Sequence, residues 1–193
     1  MNIIHYNQDD QCLTYGQMNL INDFRLLWTD VTVYLRGYAL STIIGRDKLK
    51  EATRLRVYHI AEHFASKLEP FFGDDISAQF QQLVLQFLIN TMELIDAYVA
   101  GDEATINQAL PPVYKDISDI SAFLAEINSY WNSDEWESLL TKLLENGLAG
   151  LAAIKAEDYE QDFQIIDSNL RYATRMGDYM ANGLLAYLQP AKM

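Results

Sequence analysis

Apolar residues recur every three or four positions along most of this chain, which is the period of one face of an α-helix. Four zones of turn residues interrupt the pattern: Gly45-Arg46-Asp47, Pro70-Phe71-Phe72-Gly73, Gly101 followed by Pro111-Pro112, and Asn128-Ser129. The first long stripe is Leu20, Phe24, Leu27, Val31, Tyr34, Tyr38 and Thr42, and the second is Phe80, Val84, Phe87, Thr91, Leu94 and Tyr98. Gly101 then stands where a helix C-terminus favours a residue that tolerates positive φ. A third stripe, Trp136, Leu140, Leu143, Gly147, Gly150 and Ile154, has Ser133 in position to cap it. The fourth is the most regular: Phe163, Ile166, Leu170, Ala173, Gly177, Met180, Leu184 and Tyr187. No segment alternates apolar and polar residues for long. The pattern therefore predicts an all-α fold, an antiparallel bundle of four long helices (18–44, 77–100, 134–154 and 158–188) and two shorter ones (48–69 and 113–127). A polar lead-in, 1–17, precedes them, and 1–193 reads as a single domain.

Charge narrows the partners. Fourteen Lys and Arg against 27 Asp and Glu leave a formal charge of −13 in 193 residues, which argues against a nucleic-acid binder and against adhesion to an anionic membrane. The first ten residues lack the basic and apolar regions of a signal peptide, and no run of about 18 uncharged apolar residues is found, so a cytoplasmic protein is expected. Cys12, the single cysteine, offers neither a disulfide nor a thiolate cluster. Residues 46–67 carry six basic side chains against three acidic ones, and residues 133–167 carry nine acidic side chains against Lys142 and Lys155. The two stretches could dock within the chain or across a dimer; two solvated faces are the plainer expectation.

Few motifs carry chemistry. His59-Ile60-Ala61-Glu62-His63 matches the His-x-x-Glu-His of inverted zinc metalloproteases, with two imidazoles one helical turn apart and a carboxylate as base. The apolar stripe of that segment is Val57, Ile60, Phe64 and Leu68, so His59, Glu62 and His63 lie off the buried side, open to water. A di-iron site of the ferritin type needs Glu-x-x-His on two helices; this chain has none, its histidines are His5, His59 and His63, and Glu93-x-x-Asp96 lacks an imidazole partner. No nucleophile elbow, phosphate loop or Cys–His pair is present, so no catalytic residue and no cofactor is expected. Gly147, Gly150 and Gly177 face the seam, where they allow close helix packing or leave a hollow. Asp167, Arg171, Arg175 and Asp178 are spaced to pair along the last helix.

Several stretches resemble a family of uncharacterised small bacterial all-helical bundle proteins, ferritin-like in outline. They are Leu27-Trp28 with Arg36, Arg56-Val57-Tyr58, Pro70-Phe71-Phe72-Gly73, Ala100-Gly101-Asp102, Tyr114 through Ile120 to Phe123-Leu124, Asn128-Ser129-Tyr130-Trp131, and Tyr159 with Asp162, Asp167, Met176, Asp178 and Gly183. The resemblance runs over roughly 20–188 and supports the bundle fold. Members of that family tend to carry a histidine on the first, third and fourth long helices, where this chain has Val31, Phe87 and Leu143. The resemblance thus implies a scaffold that has lost the metal-ligand histidines and closed over a dry apolar core.

Two functional classes follow. The first is a non-catalytic binding or protein-interaction module, with a protein partner or a second copy of the chain. The alternative is a small-molecule or metal-binding bundle, with a pocket between the long helices built from Trp28, Tyr34, Arg36, Tyr98, Asp167 and Asp178, in which Arg36 and Asp167 orient a polar ligand among aromatic rings. A buried pocket with unpaired polar groups favours the second class, and a packed seam with a large apolar surface patch favours the first.

Overall fold

The computed structural model describes residues 13–188, so the readings of His5 and Cys12 concern residues outside the described ones. The described chain is all-α, with six helices: α1 (Tyr15–Ile43), α2 (Asp47–Phe72), α3 (Asp74–Ala100), α4 (Glu103–Ile127), α5 (Ser133–Lys155) and α6 (Tyr159–Tyr187). They run from 23 to 29 residues, which corrects the expectation of four long and two shorter helices. The prolines misled the sequence reading. Pro111 and Pro112 lie inside α4, which already starts at Glu103 because the Asp102 carboxylate accepts from the Ala104 and Thr105 N–H groups. The turns before the prolines are largely exposed, so the carbonyls that the rings leave without donors can bond water. Pro70 similarly lies in the last turn of α2, and Gly73 alone, at φ 81°, joins α2 to α3. At the start, Thr14 and Gln17 form a reciprocal capping box, which begins α1 inside the expected lead-in. Asn132, not Ser133, caps α5 by accepting from the Glu135 N–H at 2.9 Å.

Each helix packs on the next in sequence, and α6 closes the ring against α1. α1, α3 and α5 also touch one another, forming an inner triad spanned on its outer sides by α2, α4 and α6. One end of the bundle is filled with rings. Trp28 meets Phe64 edge-on at 4.9 Å and Trp136 at 5.8 Å, Phe64 meets Phe80 at 5.9 Å, and Trp136 meets Tyr179 at 5.0 Å. With Phe123 of α4 stacked on Phe80 at 6.1 Å, all six helices contribute rings to one cluster, whose offset and edge contacts add to the apolar area they bury. Trp131, from the α4–α5 connection, inserts against Gly183 and donates its indole N–H to the Met180 carbonyl at 3.2 Å.

By length and composition α3 could cross a membrane: its most apolar 18-residue window has mean hydropathy 1.4. In this fold it packs on α1, α2, α4 and α5, and its apolar residues Phe80, Val84, Phe87, Leu88 and Leu94 lie in the core. The basic residues of α2 do not meet the acidic stretch: Lys50 pairs with Asp96 of α3 at 2.7 Å, Lys67 with Asp23 of α1 at 2.8 Å, and Arg54 with Glu51. Asp96 also accepts from the Tyr38 hydroxyl at 2.9 Å, and burial, this hydrogen bond and the adjacent carboxylate push the Tyr38 phenol well up.

Asp116 on α4 is buried and accepts from Asn90 Nδ2 at 2.6 Å. Burial raises its carboxyl above the usual range, opposed by the Asn90 hydrogen bond. A raised folded-state value means that the folded chain holds this proton more tightly, so stability falls as pH rises past the unfolded value, about 3.9. Asp116→Asn should therefore gain about 0.5 kcal/mol, or about 1–2 °C, at pH 7, and the gain should vanish near pH 3. Thermal unfolding of both proteins between pH 3 and 7 checks this; parallel pH profiles would contradict it.

Candidate functional site

The end of the bundle away from the rings is not filled. A cavity of about 70 Å³ lies among the C-terminal halves of α1, α3 and α5 and the N-terminal half of α6, with room for about two water molecules. Its walls are mainly aliphatic, with Val31 and Ala39 from α1, Phe87 and Ile95 from α3, Leu143, Leu151 and Ile154 from α5, and Ile165 and Ile166 from α6. The void exists because small side chains stand where large ones would close it. A methyl group at Gly147 would meet nothing within 4 Å, and one at Gly150 would only touch Ile165 and Asp162 at ordinary distances. Buried Gly150 thus widens the hollow and exposed Gly147 leaves its rim open, whereas Gly177, elsewhere on the seam, serves close packing.

Polar groups are few and placed on one side. Asp162 is 2% exposed, and its carboxylate takes both Arg36 Nη2 and, at 3.3 Å, Arg36 Nε. Such a two-point fork is the strongest geometry available to this pair. Asn169, two turns along α6, is 5% exposed, and its Oδ1 is fully buried without a hydrogen-bond partner. Leaving a buried amide oxygen unpaired costs about 1–3 kcal/mol, so an orphan on a cavity wall calls for a physical reason. The Thr32 and Thr91 hydroxyls, also on the wall, donate to the carbonyls of Trp28 at 3.3 Å and Phe87 at 2.7 Å.

The fourth hydrophobic stripe explains why sequence reading missed Asp162 and Asn169. Its second half holds, with Ala173, Gly177, Met180 and Leu184 buried. In the first half the register is displaced by one residue: Asp162 and Asn169 are buried, Leu170 is half-buried and Phe163 is 64% exposed. Facing Gly150 and Arg36, that part of α6 turns polar residues inward. The one available signal was the spacing of 162, 166, 169 and 173, which steps by four, three and four and so shares a face.

Of the six residues expected to form the pocket, Arg36 alone lines the cavity. Its carboxylate partner is Asp162, not Asp167, which is exposed on the outer side of α6. Trp28 lies in the aromatic cluster, and Tyr34 and Tyr98 pack half-buried against the core. Asp178 accepts from Arg25 Nε at 2.5 Å, and Arg175 reaches Glu135 of α5 at 3.9 Å, so the expected pairing along α6 is replaced by pairs to other helices. The walls are aliphatic rather than aromatic because the rings fill the opposite end. Val31, Phe87 and Leu143 do converge, all three buried, but around a cavity with a polar side, which corrects the expectation of a dry, closed core.

His59, Glu62 and His63 lie on the exposed face of α2, where His59 Nδ1 and Glu62 Oε2 approach to 2.9 Å. Among the described residues no group of three or more His, Cys, Asp or Glu side chains is placed to share a metal ion. Large exposed apolar residues, such as Tyr15, Leu26, Leu49, Tyr130 and Phe163, are distributed over several helices.

No protein-family profile matches the chain, and neither a curated protein nor a solved structure is significantly similar to it.

Proposed function

We propose that this protein is a small-molecule-binding bundle whose site is the cavity between α1, α3, α5 and α6. The observation that carries the reading is Asn169 Oδ1, buried and unpaired on an apolar cavity wall beside the Arg36–Asp162 pair. A recessed, mainly apolar space with a few convergent polar groups is the usual form of a ligand site. Binding without turnover is the reading for the threonines, because each wall hydroxyl already spends its proton on a carbonyl of its own helix.

The finer architecture belongs to the same proposal. Connections as short as Gly73 alone make each helix turn back along its predecessor, which brings the C-terminal halves of α1, α3 and α5 to one end. The three positions at which the resembling bundle family tends to histidine would then be three walls of one pocket, kept as a pocket after its polar ligands were exchanged for Val31, Phe87 and Leu143. A cytoplasmic setting and a small-molecule rather than macromolecular partner complete the reading.

Xenon tests it, since dry protein cavities take up xenon. Under xenon pressure the methyl resonances of Val31, Leu143 and Ile154 should shift saturably while those in the ring cluster stay fixed. Shifts that are linear in pressure, or spread over surface methyls, would overturn the reading. A companion variant gives a second readout. Asn169→Leu, which removes the orphaned amide, should raise the ligand-free stability by about 1 kcal/mol, or about 2–4 °C in Tm. A lowered Tm would mean that the amide is satisfied within the fold.

A further inference from the structure

We infer that the outer face of α2 carries a metal site separate from the cavity, in which His59 and His63 hold one divalent late transition-metal ion such as Zn²⁺ or Cu²⁺ and Glu62 positions the first of them. Residues four apart on a helix share a face, with Cβ atoms about 5–6 Å apart. Helical side chains lean towards the N-terminus, so His63 leans back over the turn that carries His59. This is the spacing at which two imidazoles of one helix can bind a single ion. Both rings stand outside the packed stripe of Val57, Ile60, Phe64 and Leu68 and are exposed. Glu62 is what separates the pair from two independent surface histidines. Its Oε2 lies 2.9 Å from His59 Nδ1, and an ionised carboxylate can only accept, so Nδ1 donates. That bond holds the neutral ring in the tautomer whose lone pair is on Nε2, the form that ligates metal, and carboxylates behind ligating histidines act in this way.

The surroundings favour a cation. Burial raises the carboxyl of half-buried Asp30 on α1 above its ordinary range, and the nearby His63 imidazole opposes that rise, so a second carboxylate stands close to the other ring. Lys67, one turn beyond His63, is neutralised by Asp23 at 2.8 Å. Arg56, one turn before His59, is the basic residue left to oppose two carboxylates, and the chain as a whole carries −13. The donor set selects the ion. Imidazole suits Cu²⁺, Ni²⁺ and Zn²⁺, whereas Mg²⁺ and Ca²⁺ want a shell of oxygens. The protein supplies two ligands rather than three, so water completes the coordination. An ion held this way on an open face exchanges readily and lacks the shaped, dry cavity of a metal hydrolase. Because the spacing of the two rings exists only in the helix, binding also stabilises the folded chain.

Zn²⁺ titration of the full, untagged chain tests the site, followed by NMR at the ring resonances of His59 and His63. His5 is the remaining histidine, so His5→Gln is titrated beside the wild type and should bind equally well. The two rings are expected to shift together along one saturation curve. Either His59→Gln or His63→Gln should weaken binding at least ten-fold, and Glu62→Ala by about ten-fold. Ring nitrogen shifts should show the Nδ1–H tautomer of His59 in the wild type and lose that preference in Glu62→Ala, a change that a merely structural role for Glu62 would not produce. All three side chains are exposed, so these variants should keep the wild-type circular dichroism and Tm without metal. Cu²⁺ should bind more tightly than Zn²⁺, and Mg²⁺ should leave both rings unshifted. Saturating Zn²⁺ should raise the Tm of the wild type and not that of His59→Gln. Separate midpoints for the two rings, a single-histidine variant that binds as well as the wild type, or loss of binding in His5→Gln would each overturn the shared site. Unchanged affinity and tautomer in Glu62→Ala would overturn the positioning role of the carboxylate.

Discussion

Replacing Gly177 by alanine is expected to cost about 3 kcal/mol or more, lowering Tm by about 6–12 °C, although alanine is the better helix former by about 1 kcal/mol. The reason is the crossing of α1 and α6. A Cβ at Gly177 would lie 2.5 Å from both the Cα and the N of Arg25 and 2.7 Å from the carbonyl carbon of Phe24. These are backbone atoms of a neighbouring helix, so no rotamer change relieves the overlap and the two helices must move apart. That movement would loosen Phe24 and Met176, both fully buried, and would break the Arg25–Asp178 pair that brackets the crossing. Gly147→Ala is the matched control, because its new methyl enters open space and should leave stability unchanged or raised by up to about 1 kcal/mol. Urea unfolding of the two variants beside the wild type decides it. Two alanines with the same effect would mean that α1 and α6 do not approach at Gly177.

The two glycines also show how far the sequence could be read. Both fall on apolar stripes of helical period, so periodicity could place them on the seam but could not say which one abuts a helix and which one opens a hollow. That distinction depends on what the opposite helix brings, Arg25 backbone in one case and empty space in the other. Helix existence was legible for all six elements, because the three-and-four spacing of apolar residues reflects burial against neighbours. The boundaries at Pro70 and Pro111-Pro112 were not, since a proline ends a helix only where its lost hydrogen bond is costly, and here the surrounding turns face water. Arg36 was legible as a cavity residue and its partner was not. Asp167 and Asp162 are both acidic residues of α6, and only the one-residue displacement of the buried face in the first half of α6 selects Asp162. Asn169, the residue on which the functional reading turns, was signalled only by its place in the 162, 166, 169 and 173 spacing. A polar residue on a buried stripe is visible only once the stripe's register is fixed in three dimensions.

Arg36→Met is expected to cost about 3–5 kcal/mol, far more than Asp162→Leu, and the double variant should recover most of that loss. The asymmetry follows from exposure. The Asp162 side chain is 3% exposed and that of Arg36 is 27% exposed. Removing the arginine strands a carboxylate in an aliphatic surrounding with no route to water. Removing the carboxylate leaves a guanidinium that can swing its charge outward while its stem keeps covering the wall. Denaturant unfolding of wild type, both single variants and the double variant closes the cycle; single losses that are equal and simply add would show that the pair is not coupled. If the double variant matches or exceeds the wild type, the ion pair contributes nothing to stability that methionine and leucine could not. Its place on the cavity wall would then fit the proposed binding role better than a role in stability.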